Sequence, residues 1–377
     1  MIKVVHTVNA FTATSGGTST CVYDLLSAIN TRDDVHADII VTKPDKKLMG
    51  YGEPWILPVE YDEKTPFGIS ANLRDALQQT NADIYHTNGL WRYCNHLTAT
   101  IARQKNKPFV FTPHGMLYPQ ALAISKWKKQ LLRWTIFDKD IRGAACIHGT
   151  CEKEMEYIRA LGFSNPVAII GNPVPEIDIK HTNRSEKVTF GYLGRLHPRK
   201  KVERLIDAFA NLTEEERNQC ELVIIGSGEH DYEMSLQSKV SQLKIQNIRF
   251  LGFVEGEEKL KQLARLSALF VPSDYENFGM IISEALSCGT PVWASTGTPW
   301  KLLNECKCGW WQEPNVENII ETMREILTMG PKKLDEMGEF GRKVVQEHFA
   351  AQVVAQQMSE LYKWILTKQS KPSFVYE

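Results

Sequence analysis

The sequence predicts an α/β protein of two doubly wound domains, each on a parallel sheet, with the sheets facing across a deep cleft. Three observations carry this. Short β-branched runs recur along the chain, each followed by a turn and a longer amphipathic stretch, the alternation of parallel strands joined through helices. Several runs are apolar throughout, as strands covered on both faces are. The pattern restarts near Val188, after the polar, proline-containing segment GNPVPEIDIKHTNRSEK, which has the composition of an interdomain linker.

In chain order, the first half places strands at 2–8, 38–42, 83–87, 109–112, 145–148 and 167–170. The second half places them at 188–193, 221–225, 248–251, 268–271 and 291–294. The domains are set at 1–175 and 185–349, since 377 residues exceed one ordinary core. The tail over 335–367 has helical periodicity, with apolar Val344, Val345, Phe349, Val353 and Leu361. Open sheets of this kind bind ligands beyond the carboxyl ends of their strands, so the loops leaving the strands are where chemistry is sought.

Hydrophobic residues make up 43% and charged residues 24%, a globular composition. A formal net charge of −1 gives no global pull toward nucleic acid, which is not expected as a partner. The start, MIKVVHTVNAF, lacks the features of a signal peptide, and no apolar run is long enough to span a bilayer. The expectation is a cytoplasmic protein, or one peripheral on the inner face of the plasma membrane. Eight cysteines are scattered without a C-x-x-C pair, which reads as reduced thiols rather than disulfides or a metal site.

The densest chemistry lies in PSDYENFGMIISEALSCGTPV, Pro272 to Val292. An apolar strand leads through a loop into a helical run. A helix start after a parallel strand presents unpaired N–H groups and a positive dipole end, which suit phosphate. Glu276 lies just before that helix and Glu284 inside it. By spacing alone the two read as a helix-terminal charge and a solvated mid-helix glutamate. A basic loop, GRLHPRKK, follows the strand at 188–193 and carries Arg195, Arg199, Lys200 and Lys201. Gly16 and Gly17 precede a helix after the first strand, but no G-x-G-x-x-G is present, which disfavours a dehydrogenase.

The run ENFGMIISEALSCGTPV resembles the signature of glycosyltransferase family 4, the retaining enzymes of GT-B fold, and YLGRLHPRKKVERLIDAF is similar to a second family motif. The resemblance implies that Glu276 contacts the donor-sugar hydroxyls and Glu284 holds the nucleotide ribose. It implies that the amides around Asn277, Phe278, Gly279 and Met280 meet the diphosphate, and that Arg195 and Lys200 neutralise the leaving group. Lys201 stands where the family has glycine, so the turn there, and the choice between Arg199 and Lys200, stay open. Gly16 and Gly17 match a pair that touches donor and acceptor. VIIGSGEH and FLGFVEGEEKL resemble the nucleotide-side loops, where Gly226 and Gly228 permit close approach and Phe253 and Val254 lie by the base.

FTPHGMLYPQAL resembles a loop of members that build bacterial surface polysaccharides, which implies that His114 approaches the donor sugar. His86 belongs to the matching upstream loop, and Asn88 stands where many relatives carry histidine. A C-terminal helix at about 350–377 is implied, packing back on the first domain. GTPW…CGWW looks like a lipopolysaccharide or capsule subgroup, with Trp300, Trp310 and Trp311 read as core ahead of a sugar platform.

The activity implied is transfer of a hexosyl group from a nucleotide sugar, UDP-hexose ahead of GDP-mannose, to a glycan or polyprenyl-linked or other lipid acceptor. No cofactor or metal is implied, because the nucleotide sugar is a substrate and the family holds its diphosphate without a metal. The rivals are a nucleotide-sugar epimerase of the same fold and a binding module without catalysis. One more segment, ISKWKKQLLRWTIFDKDIRG, interleaves Trp127, Leu131, Leu132 and Trp134 with Lys126, Lys128, Lys129 and Arg133. It reads equally as a membrane-surface helix and as a core-facing one with solvated lysines.

Overall fold

In a computed structural model, which describes residues 1–12, 16–43, 48–60, 62–177, 179 and 187–377, most strands fall where β-branched runs placed them. They are β1 (Ile2–Val8), β2 (Val35–Lys43), β3 (Ile56–Glu60), β4 (Ile84–Asn88), β5 (Phe109–Thr112), β6 (Cys146–Gly149), β7 (Val167–Ile169), β8 (Val188–Leu193), β9 (Cys220–Ile225), β10 (Ile248–Gly252), β11 (Ala268–Val271), β12 (Val292–Ser295), β13 (Gly309–Gln312) and β14 (Val375–Tyr376). The chain forms two units, Met1–Pro175 with Ala350–Glu377, and Glu176–Phe349. The linker reading over 171–187 falls partly on 178 and 180–186, outside the described residues.

The first unit's sheet has the order β14-β7-β6-β5-β4-β1-β2-β3. Its pairs are parallel except β14 with β7, which is antiparallel. The helices Gly17–Ile29 and Ala351–Thr367 bury Leu25, Leu26, Val354 and Leu361 in one cluster, and Ala71–Gln79 and Tyr93–Gln104 bury Leu77, Leu97 and Ile101 in another. Double coverage explains why β4, IYHTN, is buried at every position. β1 lies between β2 and β4, so the chain reverses its progress across the sheet there, and the loops leaving β1 and β4 flank that switch point.

The second unit's sheet has the order β10-β9-β8-β11-β12-β13, parallel throughout. Its switch point lies between β8 and β11. The helix Val202–Ala210 buries Val202, Leu205, Ile206, Ala208 and Phe209 against this sheet, a spacing that repeats at three and four residues.

The tail departs from expectation twice. The helical stretch over 335–367 is two helices, Pro331–His348 and Ala351–Thr367. The break falls where the Phe349 ring packs on Phe278 and Trp300. The second helix stops at Thr367, not near 377, because Lys368 takes a left-handed φ of 57° and the chain then returns to pair β14 with β7. Among the described residues, no helix is long and apolar enough to cross a membrane.

Candidate active site

In the second unit the functional loops leave β8, β11 and β12 side by side. The β8 exit forms a short turn, Pro198–Lys200, in which Lys200 N–H donates to His197 O at 2.8 Å. Lys201 closes the turn at φ 55° and ψ 39°, a left-handed conformation made without the glycine the motif normally carries. The β8 and β11 exits are tied where Asp274 N–H donates to Arg199 O at 2.9 Å. The β11 and β12 exits are tied where Glu276 N–H donates to Gly297 O at 3.0 Å. A Cβ on Gly297 would lie 2.1 Å from Asp274 O, so only glycine allows this crossing.

These loops bring Lys200 onto Glu276. The Lys200 ammonium bonds Glu276 Oε1, and Ser273 Oγ donates to the same oxygen at 2.8 Å. Both partners are well covered, at 16% and 8% side-chain exposure, where charge-assisted bonds are stronger than in water. Arg199 instead sets its guanidinium 5.2 Å from the Tyr275 ring centre. Arg195 stays out in solvent at 69% exposure, with Glu229 no nearer than 3.9 Å.

Just beyond Glu276, the helix Met280–Ser287 begins after Gly279, whose φ of 82° favours glycine. The amides of Met280 and Ile281 precede the first carbonyl-bonded amide of that helix, Ile282 N–H, which donates to Gly279 O at 2.8 Å. The Phe278 side chain is core, since its ring packs edge-on to Trp300 at 5.4 Å and its carbonyl accepts from Trp300 Nε1 at 2.5 Å. Asn277 and Met280 are partly exposed beside it. Trp300 and Trp310 are core, and Trp311 donates from Nε1 to Thr298 O at 2.9 Å.

Glu284, one turn into the helix, accepts from Lys259 at 2.8 Å. Sequence reading passed over Lys259. The signal available was its place in the first turns of Gly256–Arg265, the helix that follows the β10 exit. Phe253 in that exit is 67% exposed, leaving a free ring face, and Val254 is half-buried. Gly226 and Gly228 sit at close backbone crossings. Added Cβ atoms would lie 1.9 Å from Gly194 O and 1.7 Å from Leu196 O, so only glycine lets the β8 and β9 exits approach this closely.

In the first unit, Gly16 caps the helix Gly17–Ile29 at φ 84°, and both glycines are exposed; residues 13–15 of the same loop lie outside the described set. His114 follows β5 with φ 49° and Gly115 with φ 76°. The buried Glu154 carboxylate anchors this loop, accepting from Gly115 N–H at 2.5 Å and from Thr150 N–H at 2.8 Å. His114 Nε2 lies 3.2 Å from Asn88 Oδ1. His86 is not in a loop but inside β4, fully buried, and Asn88 is buried at that strand's end. Burial lowers the pKa of His6 to about 3 and of His148 to about 4, and lowers those of His86 and His114 as well.

The segment Lys126–Arg142 is helical, with a π-turn at Arg133–Phe137. Ile124, Trp127, Leu131 and Trp134 are exposed, the two tryptophans at 83% and 84%. Leu132 instead packs toward the core. Lys129 and Arg133 are engaged: Lys129 donates to Ala121 O at 2.5 Å, and Arg133 to Asp138 at 2.9 Å. Lys126, Lys128 and Lys139 are exposed. All eight cysteines are free thiols, and among the described residues no group of three or more His, Cys, Asp or Glu is placed to hold a metal ion.

Two parallel-sheet Rossmann-like halves, the second with a cation–carboxylate pair beside a helix start, define the GT-B class. The solved Anabaena Alr3699/HepE in complex with UDP and glucose shares this fold, with a TM-score of 0.75 at 17% identity over 96% of this chain and 100% of that one. Residues 16–173 match the model of a glycosyl transferase 4-like domain, and residues 174–344 that of glycosyl transferases group 1. The chain belongs to the family-4 type of glycosyltransferases. An uncharacterised glycosyltransferase of Methanocaldococcus jannaschii is 38% identical over 107 residues, 28% of this chain and 26% of the relative. The O-antigen chain mannosyltransferase B of Escherichia coli is 34% identical over 107 residues, 28% of each chain. The match thus spans about a quarter of the length of these curated relatives.

Proposed function

We propose that the protein is a retaining hexosyltransferase that uses a nucleotide sugar and no metal. The observation that carries this is the Lys200–Glu276–Ser273 cluster set beside the start of Met280–Ser287. Glu276 accepts hydrogen bonds from the sugar hydroxyls, and the helix-start amides receive the diphosphate. Glu284, steadied by Lys259, accepts from the ribose hydroxyls. The Phe253 ring and the Val254 backbone meet the base. In the first unit, Gly16, Gly17 and His114 are the proposed substrate contacts.

In the reaction, the bond between the anomeric carbon and the β-phosphate oxygen breaks, and its electron pair goes to that oxygen. The acceptor hydroxyl bonds to the anomeric carbon from the same face and passes its proton to the departing phosphate. Charge grows on the phosphate as this happens. Cations aimed there in advance stabilise the transition state without reorganising, so Lys200 and Arg195 take the place of a metal.

The donor is a UDP-hexose ahead of GDP-mannose; similarity to a mannosyltransferase keeps the second in view. The acceptor is a glycan or lipid-linked glycan of lipopolysaccharide, capsule or exopolysaccharide synthesis. The exposed Trp127–Trp134 face docks the cytoplasmic protein on an anionic membrane surface, where lipid-linked acceptors reside. A thermal-shift panel of nucleotide sugars tests the donor, because a ligand of the native state raises the midpoint. The stabilising donor is then incubated with acceptor in EDTA, and the product anomer is read by NMR. Transfer with the donor's anomeric configuration is expected. Epimerised donor without transfer would make it an epimerase, and stabilisation with neither reaction a binding module.

A further inference from the structure

A line of hydrogen bonds crosses the first unit from His114 to the backbone of Ile170. His114 Nε2 meets Asn88 Oδ1 at 3.2 Å, and Asn88 Nδ2 meets His6 Nδ1 at 3.3 Å. His6 Nε2 meets the Tyr362 hydroxyl at 3.1 Å, which meets His86 Nδ1 at 2.8 Å. His86 Nε2 meets Thr112 Oγ1 at 2.6 Å, Thr112 Oγ1 meets His148 Nδ1 at 3.0 Å, and His148 Nε2 meets Ile170 O at 2.8 Å.

The far end fixes the polarity of the whole line. A carbonyl only accepts, so His148 donates from Nε2, and as a neutral ring it accepts at Nδ1. Thr112 therefore donates to His148 and accepts from His86. His86, a neutral ring again, accepts at Nδ1 from the Tyr362 hydroxyl. That hydroxyl accepts from His6 Nε2, which leaves His6 Nδ1 to accept from the Asn88 amide. The near end agrees by an independent route. Asn88 Nδ2 also donates to Thr7 O at 3.2 Å, and that carbonyl too can only accept. The amide is thus oriented from both sides with its oxygen toward His114.

We infer that Asn88 is a positioning residue: it holds His114 as the Nε2–H tautomer, with the Nδ1 lone pair left to accept a hydrogen bond from a sugar hydroxyl. The loop geometry supports this, since Glu154 pins Gly115 and the left-handed backbone at His114 and Gly115 limits how the ring can turn. The inference rests on the reading of His114 as a substrate contact, and it adds the chemistry of that contact. A neutral acceptor at Nδ1 recognises a hydroxyl and contributes nothing to phosphate charge, which is left to Lys200 and Arg195.

The test is two-bond proton–nitrogen NMR of the ligand-free, full-length protein carrying 15N-histidine, with the His114 signals assigned from His114→Gln. The expected pattern is protonated Nε2 and bare Nδ1, unchanged from pH 8 to 6. In Asn88→Leu, His114 should show mixed tautomers and begin to titrate. Turnover should fall about tenfold, and the acid limb of kcat/KM should move toward neutral pH, a shift that loosened packing alone would not produce. A protonated Nδ1 or a charged ring in the wild type overturns the inference even if the variant fails to fold. So does an unchanged His114 spectrum in a folded Asn88→Leu. The tautomer is read without turnover: absence of transfer would sink the enzymatic reading alone, and the wrong tautomer in an active enzyme would sink this inference alone.

Discussion

Lys200 and Arg195 share a charge and differ in surroundings, which separates their expected phenotypes. Lys200 is covered and bonded to buried Glu276, whereas Arg195 lies in solvent. Arg195→Ala should therefore lose kcat about 100-fold, the scale of one lost transition-state donor, with its unfolding midpoint unmoved. Lys200→Ala should lose at least as much rate and also about 3 kcal/mol of stability, because Glu276 is left charged without its cation. Urea unfolding beside steady-state kinetics measures both; normal turnover in the two variants would remove the phosphate role. Resemblance to the family motifs singles out Glu276, Glu284 and Lys200, which spacing alone does not, because a motif carries fixed offsets from a strand end and a helix start. It passed over Ser273 and Lys259, whose partners lie three residues on and across a helix pair. At Gly226 the Gly194 carbonyl is a neighbour that excludes a side chain, which the pattern did not show. A one-dimensional pattern shows that a glycine is present, not which neighbour excludes a side chain.

Among the elements, the strands that β-branched runs did not reveal are β3, β13 and β14, and each is an edge strand. An edge strand is not covered on both sides, so it lacks the continuous apolar run. β3, ILPVE, holds a proline and three exposed positions. The central strands were legible for the opposite reason. Of the histidines of β1, β4 and β6 the sequence singled out His86 alone, and their joint burial needs the strands side by side. That burial sets a pH dependence. His6 and His148 have folded pKa values of about 3 and about 4, below the unfolded value of about 6.5. Between those limits the unfolded chain binds more protons, so stability is full above about 6.5 and is lost as pH falls toward the folded values. Each such histidine contributes up to about 1.4 kcal/mol per pH unit in that window. Urea midpoints should drop steadily from pH 7 to 5, and a level profile would mean that the rings are not held neutral.

For the molecule as a whole, a formal net charge of −1 means that any attraction to an anionic membrane is local. The local feature is the face of Ile124, Trp127, Leu131 and Trp134, with Lys126 and Lys128 beside it. Sequence left this helix divided between membrane and core. The structure divides its residues instead, sending Leu132 and Phe137 inward and leaving both tryptophans outside. In the proposed docking their rings would gain apolar burial in the interface, and each nearby lysine would add about 1 kcal/mol on an anionic surface. Lys129 and Arg133 are poor probes of this, since substituting them breaks internal bonds to Ala121 and Asp138. The informative variants are Trp127→Ser with Trp134→Ser, and Lys126→Glu with Lys128→Glu. In sedimentation with vesicles of phosphatidylglycerol and phosphatidylcholine, the tryptophan pair should weaken binding at least tenfold at any ionic strength. The lysine pair should weaken it strongly at low salt and little at high salt, because screening already removes the charge term there. Equal sedimentation of the tryptophan variant and the wild type would assign the face to some other use, whatever the lysines did.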